Sequence, residues 1–441
     1  MNKNLVWLAI LTVVVQVCTG AEESLLQATN ALTLADALMI AEQQNLGLRA
    51  VREEQEIADG LTTSVRSHTL PHLDLRAQYI RLDDVPSFEM ENGAFELGQV
   101  DNYEAVAELS QALYAGGSLR AALRMAKAND RAVDRRIAHS RSEQAYQVHA
   151  LFNRVLLARQ NLAVVREAVD IAEQNLRDVQ SRSKQGMATR FDLLRAEEQV
   201  SSRASERIAV GNSVRKARLS LLRNLELPFD DPRKVSGVLQ FEPLDLSYSN
   251  AIAQAVANRH DIAAAEQAVV AQREAVAVAR GRGRPTLGLF GATRYGNPDR
   301  DFADEWEVSW SAGIRAEFPL FDGLEVKGKI QQEAARLRQA ELRREDLLSG
   351  MRLQVAQALE DIETAAKLVE ARRANVAQAE EALRLAQRGY DQGIEQQINV
   401  LSAQLSLTSS RQGYTAAVFQ HVMARRSLQR ATGTLVANDG K

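Results

Sequence analysis

The chain has almost no cysteine, few prolines and few aromatic residues, and it has no long apolar run. Its 441 residues include one cysteine, 8 prolines and only 5% aromatic residues. No stretch reaches the roughly 18 consecutive apolar residues of a membrane-spanning helix, so the sequence predicts none. Its 54 basic and 57 acidic residues leave a net charge of −3, which favours neither nucleic acid nor a strongly charged partner.

The first residues have the pattern of a secretory signal peptide. Lys3 supplies a positive charge, Leu5–Val17 is an apolar run too short to span a bilayer, and small residues follow. Cleavage is expected after Gly20 or Ala21, which would leave the mature chain without cysteine. The alternative is a lipidated Cys18, although the residue before it is larger than the small residue that usually precedes a lipidated cysteine.

Helical periodicity covers most of the remaining chain. Apolar residues recur near the seven-residue spacing of packed helices, and alanine is frequent enough for close helix approach. One tract of 64 residues, 119–182, would be about 95 Å long at roughly 1.5 Å per residue, a length that suits a tube across the periplasm. The predicted helical tracts are about Leu34–Thr69, Leu119–Arg182, Phe191–Leu225, Ser247–Arg280, Leu324–Tyr390 and Ile398–Ala431.

Four short segments alternate between apolar and polar residues instead, as β-strands do. The clearest runs from Trp306 to Phe318, with apolar residues at even positions and polar or small residues between them. Such runs match the lipid-facing and lumen-facing positions of membrane strands, and aromatic residues near their ends suit interfacial girdles. The alternative is a soluble sheet of two hairpins with one buried face. The predicted strands are about 71–81, 102–113, 285–296 and 306–319.

An internal repeat organises the chain. Leu113–Gly116 aligns with Leu320–Gly323 at an offset of 207 residues, and the same offset relates Gly186 to Gly393. Upstream the offset is larger, because the first half has a longer loop between its strands. Each half is therefore predicted to be helix, strand, loop, strand, long helix, tight turn and helix, since such repeats set the architecture.

The repeat and the strands predict both the domains and an oligomer. The chain divides into a signal peptide at 1–21, a first repeat at 22–240 and a second repeat at 241–441. Four strands cannot close a barrel, and an open edge in lipid would leave backbone groups without hydrogen bonds. If these strands lie in a membrane, several chains must therefore share one barrel; two are the arithmetic minimum, and three would give twelve strands.

These features together resemble the TolC family of outer-membrane efflux proteins, the outer-membrane factors of tripartite export systems. The resemblance covers essentially all of the mature chain. It is carried by the duplicated LYAGG (113–117) and LFDGL (320–324), by prolines at the strand starts, and by Gly-Tyr-x-x-Gly at 389–393. It implies a mainly α fold with a membrane β-barrel portion. Long antiparallel helices of the duplicated helix-strand-strand-helix-helix repeat would form a trimeric α-barrel, joined to a shared 12-stranded β-barrel with four strands per chain.

The resemblance also implies a function. The chain would be an outer-membrane channel with a long periplasmic extension, the exit duct for efflux or type I secretion, opened at its periplasmic helix tips. Its partners would be two further copies of itself, outer-membrane lipid, a periplasmic adaptor (membrane fusion protein) and an inner-membrane transporter of RND, ABC or MFS type. No enzyme activity, metal or cofactor is expected, because the histidines form no ligand cluster and no nucleophile motif stands out. The rival interpretation is a periplasmic coiled-coil scaffold or adaptor without a pore.

The same resemblance assigns candidate gate residues. The gate tyrosine of the family matches Tyr390 and its acidic partner matches Asp192, so a hydroxyl-to-carboxylate bond could latch neighbouring coils. The basic latch residue of the family falls at Glu395, a reversed charge, and Arg190 or Arg195 could replace it. Carboxylates that often line the constriction are replaced, which predicts weaker cation selectivity. The constriction positions are Ile398, Asn399 and Ser402; the helix-tip turns contain Gly186 and Gly393; and the strand-to-helix motif contains Gly116, Gly117, Pro319 and Gly323. Packing within the helix core is the alternative role for Ile398.

Overall fold

The computed structural model describes residues 31–90, 93–96, 98–244, 246–299 and 303–435. The predicted signal peptide, with its cysteine, lies outside these residues. The chain divides into two compact units: one contains the described parts of 1–51, 137–260 and 349–441, and the other contains 52–136 and 261–348.

Helices make up most of the described chain. The four helices that follow the strands repeat closely: Ser118–Lys184 (α3) and Glu325–Asp391 (α7) each have 67 residues, and Arg190–Asn224 (α4) and Gln397–Ala431 (α8) each have 35. Each helix of the second pair begins 207 residues after its counterpart, from 118 to 325 and from 190 to 397. None of the described helices is long and apolar enough to cross a membrane. The helices are α1 Leu34–Gln44, α2 Leu46–Ser67, α3 Ser118–Lys184, α4 Arg190–Asn224, α5 Tyr248–Asn258, α6 His260–Gly281, α7 Glu325–Asp391 and α8 Gln397–Ala431.

The first helical tract of each repeat is two helices, and the prediction of one continuous helix is wrong at both places. Asn45 leaves the helical conformation between α1 and α2, with φ −59° and ψ 121°. Its Oδ1 accepts from the backbone N–H of Leu48 at 3.0 Å, and its Nδ2 donates to the carbonyl of Asn224 at 3.0 Å. Asn45 therefore caps α2 through its side chain, as short polar residues do at helix starts. Arg259 makes the equivalent break between α5 and α6, with ψ 116°.

The four predicted strands form one antiparallel sheet, in which each strand pairs with the next one along the chain. Their bounds lie within about two residues of the predicted ones: β2 His72–Arg81, β5 Asp101–Ala115, β7 Thr286–Asn297 and β8 Glu307–Glu317. The predicted loop between β2 and β5 also contains a small hairpin of β3 Ser87–Met90 and β4 Gly93–Glu96. A further short parallel pair joins β1 Ala31–Leu32 to β6 Lys234–Val235. The fold class is thus confirmed, with two short strand pairs that the alternation pattern did not reveal.

The apolar face of the four-stranded sheet is exposed on this chain. Leu75 on β2 is 79% exposed and Trp310 on β8 is 77% exposed. The opposite face is polar: Glu104 accepts from the side chain of Gln78 at 2.5 Å and from the guanidinium of Arg294 at 2.8 Å. A soluble sheet with one buried face would cover these apolar side chains, whereas strands that face lipid on one side and water on the other would leave them outward.

The principal apolar core of the first unit joins α1, α3, α4 and α8. Leu38, Phe152, Leu221 and Val418 come from these four helices in turn, and all are buried in one cluster. Val235, on the segment that connects α4 to α5, packs into the same cluster. The core therefore holds this segment against the helices. Truncating a buried phenylalanine such as Phe152 typically costs about 3–5 kcal/mol.

Candidate gate at the helix tips

The two turns between paired helices have the same backbone geometry. Gly186 and Gly393 adopt φ of +72° and +75°, the left-handed conformation that glycine takes without strain. The N–H of Met187 donates to the carbonyl of Arg182 at 2.8 Å, and the N–H of Ile394 donates to that of Gly389 at 2.9 Å. Both helices therefore end in a Schellman motif. A side chain at either glycine would meet nothing within 4 Å, so these glycines serve the backbone conformation.

Asp192 belongs to a capping box at the start of α4. Its Oδ2 accepts from the Thr189 N–H at 2.9 Å and from the Thr189 hydroxyl at 2.6 Å. The Asp192 N–H donates to the same hydroxyl at 3.1 Å. The carboxylate thus stabilises the first turn of its own helix. Within the described chain, no hydrogen bond joins it to the Tyr390 hydroxyl, and the latch between neighbouring coils stays a prediction.

Tyr390 instead contacts Arg182, a residue that the sequence did not single out. The Arg182 guanidinium lies 4.4 Å from the centre of the Tyr390 ring. It also donates to the Tyr390 carbonyl at 3.4 Å and pairs with the Asp391 carboxylate at 3.2 Å. Burial raises the pKa of Tyr390 above its usual value; the Arg182 charge opposes this rise, and the Asp192 charge adds to it.

The reversed charge at Glu395 is accommodated locally. Glu395 is exposed, and its carboxylate accepts a hydrogen bond from the Asn399 side chain. The Glu395 side chain crosses over Gly389, where an added Cβ would lie only 2.5 Å from the Glu395 Cγ. Of the two arginines proposed as replacements, Arg190 is exposed, and Arg195 lies 5.8 Å from the ring of a neighbouring phenylalanine. Neither arginine pairs with Glu395 among the residues described.

The predicted constriction residues lie on the first turns of α8. Asn399 and Ser402 are exposed, Ile398 is half-buried, and the following Leu401 is buried. Unlike α4, this helix starts without a side-chain cap. Gln397 is only 6% exposed, and its side-chain amide has no hydrogen-bond partner within the described chain. The polar groups at the start of α8 therefore have fewer hydrogen-bond partners than those at the start of α4.

A second arginine ties the paired helices together farther from the turns. Arg411 on α8 donates to Glu167 on α3 at 2.6 Å and to Glu380 on α7 at 2.9 Å. The hydrogen bond to Glu167, followed by the one to Glu380, raises the pKa of Arg411. This residue links three helices within the first unit, and the repeat does not duplicate it.

The strand-to-helix motifs lie in the second unit. Gly116, Gly117 and Gly323 have φ of +62°, +86° and +64°. The Asp322 carboxylate accepts from the backbone N–H of Leu324 at 2.9 Å in the second motif. Pro319, predicted to belong to this motif, precedes it directly and lies outside β8 and α7. The motifs therefore set the direction of the chain between sheet and helix.

In the described part of the chain, no group of three or more histidine, cysteine, aspartate or glutamate residues is arranged to hold a metal ion.

One signal in the sequence could have identified Arg182, namely its place in the last turn of α3. Basic residues there are commonly interpreted only as hydrogen-bond partners of the last helix carbonyls.

Comparison with known proteins gives a consistent match. The model of the outer membrane efflux protein family matches residues 37–225 and 251–434. The outer membrane efflux protein BepC of Brucella suis is 24% identical over 415 residues, covering 93% of this chain and 88% of its own length. The outer membrane protein TolC of Vibrio cholerae is 23% identical over 432 residues, covering 96% and 95%.

Solved structures share the fold. The outer membrane protein VceC of Vibrio cholerae superposes with a TM-score of 0.78 at 18% identity, covering 91% of this chain and 96% of its own. The open state of the MtrE outer membrane channel of Neisseria gonorrhoeae gives 0.76 at 20% identity, covering 92% and 91%.

Proposed function

The chain belongs to the outer membrane efflux protein family, and from this premise we propose that it forms a passive, trimeric exit duct for efflux or type I secretion. The duct lies in the outer membrane and extends into the periplasm. It receives cargo from an inner-membrane transporter of RND, ABC or MFS type through a periplasmic adaptor.

The observation that carries the proposal is the four-stranded sheet. One face exposes large apolar side chains such as Leu75 and Trp310, and the other carries charged pairs such as Arg294 with Glu104. Within the described residues, the outer strands β2 and β8 each pair on one side only. Since an unpaired edge is costly in lipid, both edges are completed by neighbouring copies. The polar faces of all copies then enclose a water-filled passage.

The helix tips supply the gate and the docking surface of the duct. Their turns present exposed apolar residues, with Met187 66% and Ile394 76% exposed. Exposed apolar residues rimmed by polar ones are typical of interaction sites, which supports adaptor docking at this end. Three-fold repetition turns Asn399 and Ser402 into uncharged polar rings, and such rings select weakly between ions.

Reconstitution of the purified full-length protein into a planar bilayer tests the proposal. We expect discrete conductance steps of uniform size, with weak cation preference. The control is Trp310→Arg, which places a charge on the apolar face and should reduce the number of inserted channels. Absence of conductance steps from wild-type protein that is trimeric and folded would contradict the duct and favour a scaffold without a pore.

A further inference from the structure

We propose that Arg182 is a positioning residue of the gate: it holds the end of α7 against the end of α3 through the ring face of Tyr390, and loss of this contact opens the helix tips. The inference rests on the proposed duct and assigns the contact that regulates it.

The contact has three parts on two consecutive residues. The guanidinium of Arg182 covers the Tyr390 ring at 4.4 Å, reaches the Tyr390 carbonyl at 3.4 Å and pairs with the Asp391 carboxylate at 3.2 Å. The Arg182 side chain is 30% exposed, so it is partly shielded from water. A planar guanidinium can stack on a ring and donate from its edge at the same time, which an ammonium group cannot do.

The position of Arg182 explains why a cation is needed. It lies in the last turn of α3 and contacts the last turn of α7, so two helix carboxyl ends meet around it. Each helix end carries a partial negative charge and carbonyls without intrahelical partners. A cation placed between them stabilises both ends, and its removal weakens the attraction that holds the two helix ends together.

The ring of Tyr390, rather than its hydroxyl, makes this contact. The hydroxyl has no hydrogen-bond partner within the described chain, and the nearby Asp192 carboxylate is bonded to Thr189. Phenylalanine would retain the ring face and the backbone carbonyl that Arg182 uses. The hydroxyl latch and the ring contact therefore predict opposite results for Tyr390→Phe.

The repeat indicates which tip moves. The 207-residue offset places Gly389 at the position equivalent to Arg182, so the contact is made once per chain. The tip of the first repeat has its own capping box at Thr189, whereas α8 begins without a side-chain cap and with the buried amide of Gln397 unsatisfied. The second-repeat tip has less internal support and depends more on Arg182. Farther along the helices, Arg411 keeps them tied when Arg182 is replaced.

The test measures both opening and separation of the helix ends in the full-length protein. Arg182→Ala and Tyr390→Ala should raise the ratio of open to closed channel in planar bilayers about tenfold, equivalent to about 1.4 kcal/mol. The open-to-closed ratio of Arg182→Lys should lie between that of the alanine variants and that of wild type, and the ratio of Tyr390→Phe should equal that of wild type. The matched control is Lys184→Ala, which removes a charge from the same helix end at an exposed position.

Separation is read independently of conduction by spin labels at Ser181 and Gln392, both exposed. Arg182→Ala should lengthen and broaden the distance between them, while Lys184→Ala should not. An unchanged distance in Arg182→Ala would overturn the contact, and opening by Tyr390→Phe equal to that of Tyr390→Ala would overturn the role of the ring. A longer distance in a protein that conducts like wild type would overturn the link to gating. A longer distance with no conduction even in wild type would refute the duct and leave the contact in place.

Discussion

Alanine at Gly116 and alanine at Gly323 should have different effects, although the two glycines are equivalent in the repeat. Both have a left-handed backbone, with φ of +62° and +64°. A Cβ at Gly116 would lie 2.1 Å from the carbonyl oxygen of Gly281 and 2.8 Å from the Cβ of Arg284. A Cβ at Gly323 would meet nothing within 4 Å. The pair therefore separates backbone strain from steric overlap.

The magnitudes follow from these distances. A left-handed conformation costs an L-residue about 1–2 kcal/mol, and this cost is common to Gly116→Ala and Gly323→Ala. Overpacking adds about 1–3 kcal/mol, and it applies only at Gly116. Because the nearest atom there is a backbone oxygen at the end of α6, it cannot move aside as a flexible side chain would. We expect Gly116→Ala to cost at least about 1–3 kcal/mol more than Gly323→Ala.

Urea unfolding of the detergent-solubilised protein, followed by tryptophan fluorescence, measures this difference. The chain has three tryptophans, and Trp7 lies in the predicted signal peptide, so the mature protein would report from Trp306 and Trp310 at the start of β8, the strand that leads to the Gly323 motif. The free energy of unfolding should fall for both variants, and clearly more for Gly116→Ala. Equal losses would refute the close approach of Gly116 to α6, and no loss in either variant would refute the left-handed turns.

Three further predictions concern other parts of the chain. Trp310→Arg should destabilise the inserted protein by about 2–4 kcal/mol and reduce its amount in isolated outer membranes. Ser311→Arg, on the polar face, should leave that amount unchanged. Equal amounts of the two variant proteins would contradict the assignment of faces. The Arg233 hydrogen bond holds the pKa of Asp231 below its usual value, so the carboxylate stabilises the fold above the unfolded-state pKa of about 3.9. This stability is lost as pH falls through the lower folded-state pKa. In urea titrations, Asp231→Asn should therefore lower the free energy of unfolding near pH 7 and have progressively less effect below about pH 4. An effect of the substitution that does not depend on pH would exclude the ion pair as its source. Asn399→Asp should increase cation preference, seen as a shifted reversal potential in a salt gradient; an unchanged potential would place the constriction elsewhere.

The regular parts of the fold could be predicted because they repeat and because their periodicity is strong. The ends of α3, α4, α7 and α8 lie within about one or two residues of the predicted bounds. The break at Asn45 does not show in the periodicity because it depends on the side-chain cap that Asn45 itself provides. The β1 and β6 strands were missed because two-residue strands are too short to show alternation.

The gate was predictable to a different extent. The left-handed turns at Gly186 and Gly393 follow from local backbone chemistry and were expected. The contact of Arg182 with Tyr390 joins residues 208 positions apart. It could not be predicted from local patterns, because tertiary packing decides which surfaces of two helices contact each other. Likewise, the resemblance indicates Asp192 as the acidic partner of the gate tyrosine, whereas its capping role depends on Thr189 three residues earlier.

The central claim is that the four-stranded sheet separates lipid from a water-filled passage, and labelling of β8 tests it most directly. Single cysteines are placed in a background lacking Cys18, on the apolar face at Trp310 and Ile314 and on the polar face at Ser311 and Arg315. In intact outer membranes, a small water-soluble maleimide should label only the polar-face positions, and a lipid-soluble reagent should label the apolar-face positions. Efficient labelling of both faces by the water-soluble reagent would contradict the membrane assignment and the duct with it.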